Sequence, residues 1–178
     1  MSIKPKVYVV VPNTGEIRSE LVHPLIQITK DSRYDVFLDD LGRTARRPGS
    51  HNRNMTVKEF LETDCEWYLT IDSDVVPIRN PLDLIETDKD IIGFPARISK
   101  EHKFIWSCFM KDENVNSYTY LTTDIDEIPV HLVECHAVGS GCMLIRRNVL
   151  EAIDAPFMRV WNKDGTEHKG HDIAFCEK

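Results

Sequence analysis

Apolar runs alternate with amphipathic stretches along the first part of the chain. Residues 7–11 form a continuous run of Val and Tyr that ends at Pro12, a pattern typical of a strand buried on both faces. Residues 20–30 carry apolar side chains at helical spacing, which predicts an amphipathic helix. A second strand is predicted over residues 34–38, where apolar side chains return without a helical period.

A polar segment and a second helix come next. Residues 43–53 are rich in Arg and contain Gly and Pro, which predicts a loop. A helix is predicted over residues 54–63, with Thr56 and Glu59 spaced as a capping box at its start. The apolar face of this helix is expected to pack on the sheet.

The third apolar run covers residues 67–71 and predicts a third strand. Asn80 and Pro81 then predict the start of a short helix, because Asn is a good N-cap and Pro is favoured as the first helical residue. A fourth strand is predicted over residues 90–94. This order of alternating strands and helices predicts a layered α/β domain with a mainly parallel central sheet.

The rest of the sequence lacks this alternation. Four further runs predict strands without helices between them, at residues 104–110, 118–121, 130–135 and 142–145. A helix is predicted over residues 148–153. We therefore expect a single Rossmann-like domain over residues 1–178, with a parallel half at 1–97 and a smaller, more antiparallel half at 98–178.

Polar residues follow the predicted parallel strands at their carboxyl ends. In open α/β sheets, ligands bind outside these ends, so the residues there are the first candidates for a site. They are Pro12 and Asn13 after the first strand, Asp39 and Asp40 after the second, and Asp72-Ser73-Asp74 after the third.

Asp72-Ser73-Asp74 is the motif with the clearest chemistry. Two carboxylates at alternate positions on a bending strand end can turn toward one hard cation. Mg²⁺ and Mn²⁺ prefer such oxygen ligands and keep coordination positions for a substrate phosphate. The alternative is a solvated turn that happens to hold two acids.

Composition and charge narrow the class of ligand. The chain has 178 residues and a net charge of −7, which disfavours binding to nucleic acid or to an anionic membrane. No apolar run approaches the roughly 20 residues that span a bilayer. The cysteines are five in number and include no C-x-x-C pair, which favours reduced thiols and a cytoplasmic location.

Some of these cysteines lie near histidines in the sequence. The cluster comprises His131, Cys135, His136 and Cys142. Its spacing matches no standard zinc template, so core thiols and exposed imidazoles are the preferred interpretation.

Three segments resemble GT-A-fold glycosyltransferases, the large inverting family that includes small bacterial and phage sugar transferases. Residues 53–77, which contain WYLTIDSDVVP, are similar to the metal-binding segment of that family. Residues 138–147 resemble its Gly-rich turn and strand on the acceptor side, and residues 170–176 resemble its Gly-Glu-Asp segment at a helix start. The similarity extends over nearly the whole chain.

The resemblance implies a transferase that moves a sugar from a nucleoside-diphosphate sugar to a hydroxyl on a glycan, a lipid-linked sugar or a protein, with Mn²⁺ or Mg²⁺. Residues 1–97 would bind the nucleotide and residues 98–178 the acceptor. The implied donor-side residues are Pro12, Asn13, Asp39, Arg53, Asp72, Ser73 and Asp74, with Asp72 and Asp74 as metal ligands. Asp172 would be the catalytic base, and the acceptor-side residues would be Gly139, Ser140, Gly141 and His171.

The sequence departs from the family pattern in two respects. His171 stands where relatives often have Glu. Relatives often place a third metal ligand, frequently a His, further downstream, whereas this sequence ends at Lys178. We therefore expect either a chain shortened at its C-terminus or a site with fewer metal ligands.

Several arginines and one tryptophan are further candidates for the site. Arg53 is expected near a diphosphate, whereas Arg43, Arg46 and Arg47 are interpreted as solvated loop charges. Trp161 lies in a polar, Gly-containing segment before Asp172, which favours an acceptor-side role in stacking on a sugar ring.

Two other functions remain open. Asp72-Ser73-Asp74-Val75 also resembles the nucleophile loop of haloacid-dehalogenase-type phosphatases, in which Asp72 would attack phosphorus and Asp74 would be the acid and base. The second alternative is a catalytically inactive domain that binds a nucleotide sugar.

Overall fold

The computed structural model describes residues 3–13, 15–39, 49–94, 97–100, 103–112, 114, 117–120 and 132–178. The predicted loop arginines Arg43, Arg46 and Arg47, together with Asp40 and His131, lie outside these residues. The strands are β1 (Lys6–Val10), β2 (Asp35–Leu38), β3 (Trp67–Ile71), β4 (Ile91–Gly93), β5 (Arg97–Lys100), β6 (Lys103–Trp106), β7 (Cys108–Asp112), β8 (Ser117–Tyr120), β9 (Ala137–Val138), β10 (Cys142–Arg146), β11 (Val160–Trp161) and β12 (Glu167–Lys169). The helices are α1 (Ser19–Thr29), α2 (Gly49–Leu61), α3 (Arg147–Glu151) and α4 (His171–Cys176), with a 3₁₀ helix at Pro81–Thr87.

A five-stranded sheet with the order β2-β1-β3-β10-β4 forms the centre of this α/β fold. Strands β1, β2 and β3 are parallel to one another. Strand β10 is antiparallel to both β3 and β4, so β4 runs in the same direction as the first three strands. The predicted α/β class is confirmed, whereas the central sheet is mixed, because β10 is inserted between β3 and β4, an addition that the sequence pattern did not indicate.

Both faces of the central sheet are covered, which explains the continuous apolar run in β1. Val7 and Val9 pack with Leu21 of α1 in one core cluster. Tyr8 and Val10, on the opposite face, pack with α2 residues in a second cluster. Because successive side chains of a strand point to opposite faces, a strand covered on both sides needs apolar residues at every position.

The second half of the chain is antiparallel, as predicted. Strands β5 and β6 pair with each other, β7 pairs with β8 and β9, and β11 pairs with β12. The strand predicted over residues 130–135 is wrong for residues 132–135, which are not in a strand, and the remaining two positions lie outside the described residues. The actual strand, β9, begins two residues further on at Ala137.

Helix α2 begins at Gly49, earlier than predicted, so the capping box is wrong. Thr56 lies inside the helix, where its hydroxyl donates to the Arg53 carbonyl at 3.0 Å and lies 2.7 Å from the Tyr68 hydroxyl. The Asn80 cap is confirmed, because its side chain accepts a hydrogen bond from the Leu82 N–H at 3.1 Å. Within the described part of the chain, no helix has the length and apolar character needed to cross a membrane.

Candidate functional site at the carboxyl ends of the parallel strands

A cleft of about 130 Å³ lies where β1 and β3 end. Because the carboxyl ends of parallel strands meet at one edge of a sheet, residues distant in sequence come together there. Seven residues line the cleft. Five of them were predicted to face the nucleotide, and two were not predicted. The lining residues are Pro12, Asn13, Gly49, Asn52, Arg53, Asp72 and Ser73.

The Arg53 guanidinium from α2 is paired with the Asp72 carboxylate at the end of β3. Arg53 is only 4% exposed. The Asp72 side chain is 31% exposed, so the acid is the partner that solvent or a ligand can reach. The Nε atom of Arg53 is buried and has no hydrogen-bond partner among the described residues. A buried, charged donor with unused capacity suits an anionic ligand such as a phosphate.

Burial and the neighbouring charges do not all act on the pKa of Asp72 in the same direction. Burial raises the pKa of the Asp72 carboxyl above its ordinary value, because a charged carboxylate loses solvation. The Arg53 guanidinium opposes this rise in pKa. The negative charges of Asp74 and Asp172 raise the pKa of Asp72 further. The charges of two other predicted functional carboxylates therefore act on Asp72, and an added cation would relieve this repulsion.

Hydrogen bonds to backbone carbonyls, and not the acidic side chains, hold the Asp-Ser-Asp turn. The Val75 N–H donates to the Asp72 carbonyl at 3.0 Å. Arg18 donates its backbone N–H to the Ser73 carbonyl at 2.9 Å and its Nη1 to the Asp74 carbonyl at 3.3 Å. The Asp74 side chain is exposed. Its carboxylate is thus not needed for the turn, and it lies next to the cleft in the sequence but outside the cleft lining.

The predicted acceptor-side residues meet the same edge of the sheet from β10 and α4. The Gly141 carbonyl accepts the Asp72 N–H at 2.8 Å, which joins the Gly-rich turn to the acidic turn. The Ser140 hydroxyl lies 3.1 Å from Nε2 of His171, the first residue of α4. Asp172 follows in the first turn of that helix. The two segments that were predicted to line the acceptor side are therefore in contact.

A larger cavity of about 440 Å³ shares Gly49 with the cleft. Trp161 lines it and is 57% exposed, which leaves its ring available to a ligand. Asn54 of α2 holds the segment that leads to this wall, because its side chain accepts the Phe157 N–H at 2.9 Å and donates to the Phe157 carbonyl at 3.3 Å. The lining residues are Gly49, Ser50, Met158, Arg159 and Trp161.

Two predicted donor-side residues are placed differently from the rest. Asp39 lies at the end of β2 and accepts a hydrogen bond from the Tyr8 hydroxyl at 3.1 Å, but it does not line the cleft. The Asn13 side chain shapes its own loop by donating to the Val11 carbonyl at 2.9 Å and accepting the Gly15 N–H at 2.9 Å. Asn13 therefore contributes to the cleft as a fixed wall.

The donor set of the cleft suits a dication that is held partly by its ligand. No group of three or more His, Cys, Asp and Glu side chains in the described ranges is placed to hold a metal ion. Asp72 and Asp74 supply hard oxygen atoms, which Mg²⁺ and Mn²⁺ prefer. Asp72 shares one carboxylate oxygen with Arg53, which leaves its other oxygen and the exposed Asp74 for a cation. The remaining coordination positions would fall to phosphate and water.

The soft-ligand cluster considered from the sequence does not assemble in the described residues. Cys142 packs in the core cluster on one face of the sheet. Cys135 packs against the cluster on the other face. The Cys142 and Cys135 thiols therefore pack on opposite faces of the central sheet.

Sequence reasoning missed Gly49 and Asn52 as cleft residues. Both lie in α2, at positions that share a helical face with Arg53. The predicted helix start at residue 54 placed all three in a loop and hid this spacing. Extending the helical period from residue 54 toward the N-terminus would have placed Gly49, Asn52 and Arg53 on one face of the helix.

The fold has a counterpart among solved structures. The crystal structure of A197 from STIV matches with a TM-score of 0.59 and 20% sequence identity, and the match covers 98% of this chain and 77% of that one. No family model matches the sequence, and no curated protein matches it. At this level of identity the comparison shows a shared fold and nothing about activity.

Gly139 in the Gly-rich turn leaves no room for a side chain. A Cβ built there would lie 2.7 Å from Ser107 Cβ and 2.9 Å from Ser107 Oγ. We expect Gly139→Ala to lower the free energy of unfolding by about 1–3 kcal/mol, because the strand must shift to relieve the overlap. Urea denaturation measures this change. The double variant Gly139→Ala/Ser107→Gly should recover part of the loss, and equal stability of Gly139→Ala and the wild type would contradict this packing.

Proposed function

We propose that this chain is a GT-A-like glycosyltransferase domain that uses a nucleoside-diphosphate sugar and a divalent metal. The observation that carries the proposal is the Arg53–Asp72 ion pair at the carboxyl ends of the parallel strands, joined through Gly141 and Ser140 to the helix that carries Asp172. These groups come from β3, α2 and α4, so their meeting is a property of the fold. The shared fold with A197 from STIV is compatible with the proposal and carries no further weight for it.

On the donor side, the proposed roles follow from charge. A bound Mn²⁺ or Mg²⁺ would neutralise the negative charge that develops on the leaving diphosphate. Asp72 and Asp74 would hold this ion with their free oxygen atoms. Arg53 would orient Asp72 through their ion pair and would supply positive charge to the phosphate side of the cleft. Pro12 and Asn13 would form the wall against which the nucleotide lies.

On the acceptor side, Asp172 would take the proton of the attacking hydroxyl. Its negative charge acts on Asp72, which supports a position for Asp172 close to the acidic turn. Ser140 and His171 would position the helix that carries Asp172 through their 3.1 Å contact. The larger cavity would hold the acceptor, with the exposed ring of Trp161 stacked on a sugar face.

The test is the stability of the protein in the presence of nucleotide and metal. We expect UDP or GDP to raise Tm only when Mn²⁺ or Mg²⁺ is present, because a ligand that binds the folded state stabilises it by mass action. Asp74→Ala should abolish this shift, since it removes an exposed ligand without disturbing the backbone bonds of the turn. Asp154→Ala, at an exposed site outside the cleft lining, is the matched control and should keep the shift.

Other outcomes of the same measurements distinguish the alternatives. A Tm shift that needs no metal and survives in Asp74→Ala would contradict the proposed metal site. Metal-dependent binding without transfer to any hydroxyl acceptor would indicate an inactive nucleotide-sugar-binding domain. Hydrolysis of small phosphate esters through a trapped aspartyl phosphate on Asp72 would instead establish a phosphatase.

A further inference from the structure

The larger cavity differs from the cleft in the charge of its wall. Its lining comprises Gly49, Ser50, Met158, Arg159 and Trp161. Arg159 is exposed and is the one ionisable side chain among these described residues. The cleft, by contrast, contains the partly exposed carboxylate of Asp72. In a chain with a net charge of −7, a wall of positive sign is a local exception that favours an anionic ligand.

The start of helix α2 adds to the positive character of this wall. Gly49 and Ser50 are the first two residues of α2, a helix of 13 residues, and both line the cavity. The N–H groups of a first helical turn have no partner within the helix and carry a partial positive charge, so they favour a nearby anion. The first turn of α2 contains no acidic side chain that would offset this charge.

The buried Arg53 guanidinium lies beside the residue that the cleft and the cavity share. A Cβ built at Gly49, which lines both, would be 3.2 Å from Arg53 Nη1. The ion pair with Asp72 uses Nη2, and the Nε of Arg53 has no hydrogen-bond partner among the described residues. A second positive side chain therefore lies at the boundary between the cavity and the cleft.

The cavity also offers an aromatic ring and enough room for a sugar. Trp161 is 57% exposed and Met158 is 51% exposed. An exposed indole beside an apolar side chain can cover the C–H face of a sugar ring and leave the hydroxyl groups for polar contacts. The volume of about 440 Å³ lies within the roughly 300–1,000 Å³ typical of small-molecule sites. A neutral sugar would use the ring alone, whereas an acidic sugar would use the ring and the cation together.

We propose that the acceptor held by this cavity is an acidic sugar, one that carries a carboxylate or a phosphate. The role of the cavity as the acceptor site rests on the proposed function, whereas the charge of the ligand follows from the lining itself. The ring of Trp161 would stack on the sugar. The Arg159 guanidinium, which can donate two parallel hydrogen bonds, would pair with the anionic group. The first N–H groups of α2 would add a weaker attraction.

Binding of matched sugars to the full chain, without nucleotide or metal, tests this proposal. The acidic probes are methyl β-glucuronide and glucose 6-phosphate, and the neutral probe is methyl β-glucoside. Saturation-transfer difference NMR measures each Kd. We expect at least one acidic sugar to bind about tenfold more tightly than the glucoside, because charge-assisted hydrogen bonds are stronger than neutral ones. The acidic sugar that binds more tightly identifies the anionic group, and the preference should shrink in about 1 M NaCl, which screens an exposed arginine.

Variants separate the charge of the wall from its apolar contact. Arg159→Met should remove the preference for acidic sugars and leave the affinity for the glucoside unchanged. Trp161→Ala should weaken the binding of acidic and neutral sugars by a similar factor. Lys163→Met, the matched control, removes an exposed positive charge from the loop between β11 and β12, outside the cavity lining, and should keep the preference.

Three results would overturn the proposal: equal affinity for acidic and neutral sugars, no saturable binding of either acidic sugar, or a preference that Arg159→Met leaves intact. Failure of the proposed function gives a different pattern. A metal-dependent Tm shift with UDP or GDP, without a preference for acidic sugars, would contradict the acidic acceptor alone. A preference for acidic sugars without any nucleotide binding would retain the acidic-sugar site and contradict the transferase.

Discussion

Replacing Asp172 with Asn is expected to lower the rate of sugar transfer by about 10²-fold or more while leaving metal-dependent donor binding unchanged. The amide of Asn has nearly the shape of the carboxylate but cannot accept the acceptor's proton. Asp172 Oδ1 also accepts the Ile173 N–H at 3.0 Å, an interaction that the Asn carbonyl can retain. The variant therefore removes the base with little change in local structure.

Two measurements separate a catalytic role from a structural one. Turnover with a saturating nucleotide sugar should fall in Asp172→Asn, whereas the Tm shift produced by nucleotide and Mn²⁺ should match that of the wild type. Asp154→Asn provides the same chemical change at an exposed position outside the cleft lining and should leave both unchanged. Transfer at the wild-type rate in Asp172→Asn would show that another group removes the proton.

Replacing Arg53 with Met is expected to lower the free energy of unfolding by about 2–3 kcal/mol at pH 7. The estimate lies below the roughly 3–5 kcal/mol for breaking a fully buried ion pair, because the Asp72 side chain keeps 31% exposure. Removing the guanidinium leaves Asp72 facing the charges of Asp74 and Asp172 without compensation. The expected loss of stability therefore comes from the desolvation of the Asp72 carboxylate and its repulsion by the two neighbouring acids.

The pH dependence of this cost has a definite sign. Burial already raises the pKa of Asp72 in the folded state, and losing Arg53 would raise it further. A carboxyl whose pKa is higher in the folded than in the unfolded state destabilises the protein at high pH, and this penalty falls as the pH approaches the unfolded pKa. The difference in stability between Arg53→Met and the wild type should thus shrink from pH 7 toward pH 4.

A double-mutant cycle with Asp72→Asn tests whether the charge is the cause. In the Asp72→Asn background no carboxylate remains to be stranded, so adding Arg53→Met should cost less than it does in the wild type. Chemical denaturation at several pH values measures all four proteins. An equal, pH-independent cost of Arg53→Met in both backgrounds would show that lost packing, and not the ion pair, explains the effect.

The elements that the sequence predicted well are those whose local pattern and tertiary environment agree. Strand β3 has the predicted bounds, because five consecutive apolar or Thr positions suit a strand covered on both faces. Asp172 lies in the first turn of a helix as predicted, after Gly170. The residues after β1 and β3 were expected at one edge of the sheet, and four of them line a single cleft there together with the predicted Arg53.

The start of α2 was harder to predict because its polar residues are buried and interact with other elements of the fold. Asn52, Arg53 and Thr56 are buried, and polar residues on a buried face look like a loop when only hydrophobicity is considered. The Arg53–Asp72 ion pair and the hydrogen bonds of Thr56 make that burial possible. These partners lie far along the chain or on another element, and no local pattern reveals them.

The sequence by itself determined the α/β class, the parallel strands and the acidic turn after β3, since these depend on short-range periodicity and strand-end chemistry. The tertiary structure alone decided that β10 enters the sheet between β3 and β4 and thereby brings Gly141 to Asp72. It also decided that a side chain at Gly139 would overlap Ser107. Contacts of this kind join residues whose separation along the chain is large, so they follow from the packing of whole elements and not from any local pattern.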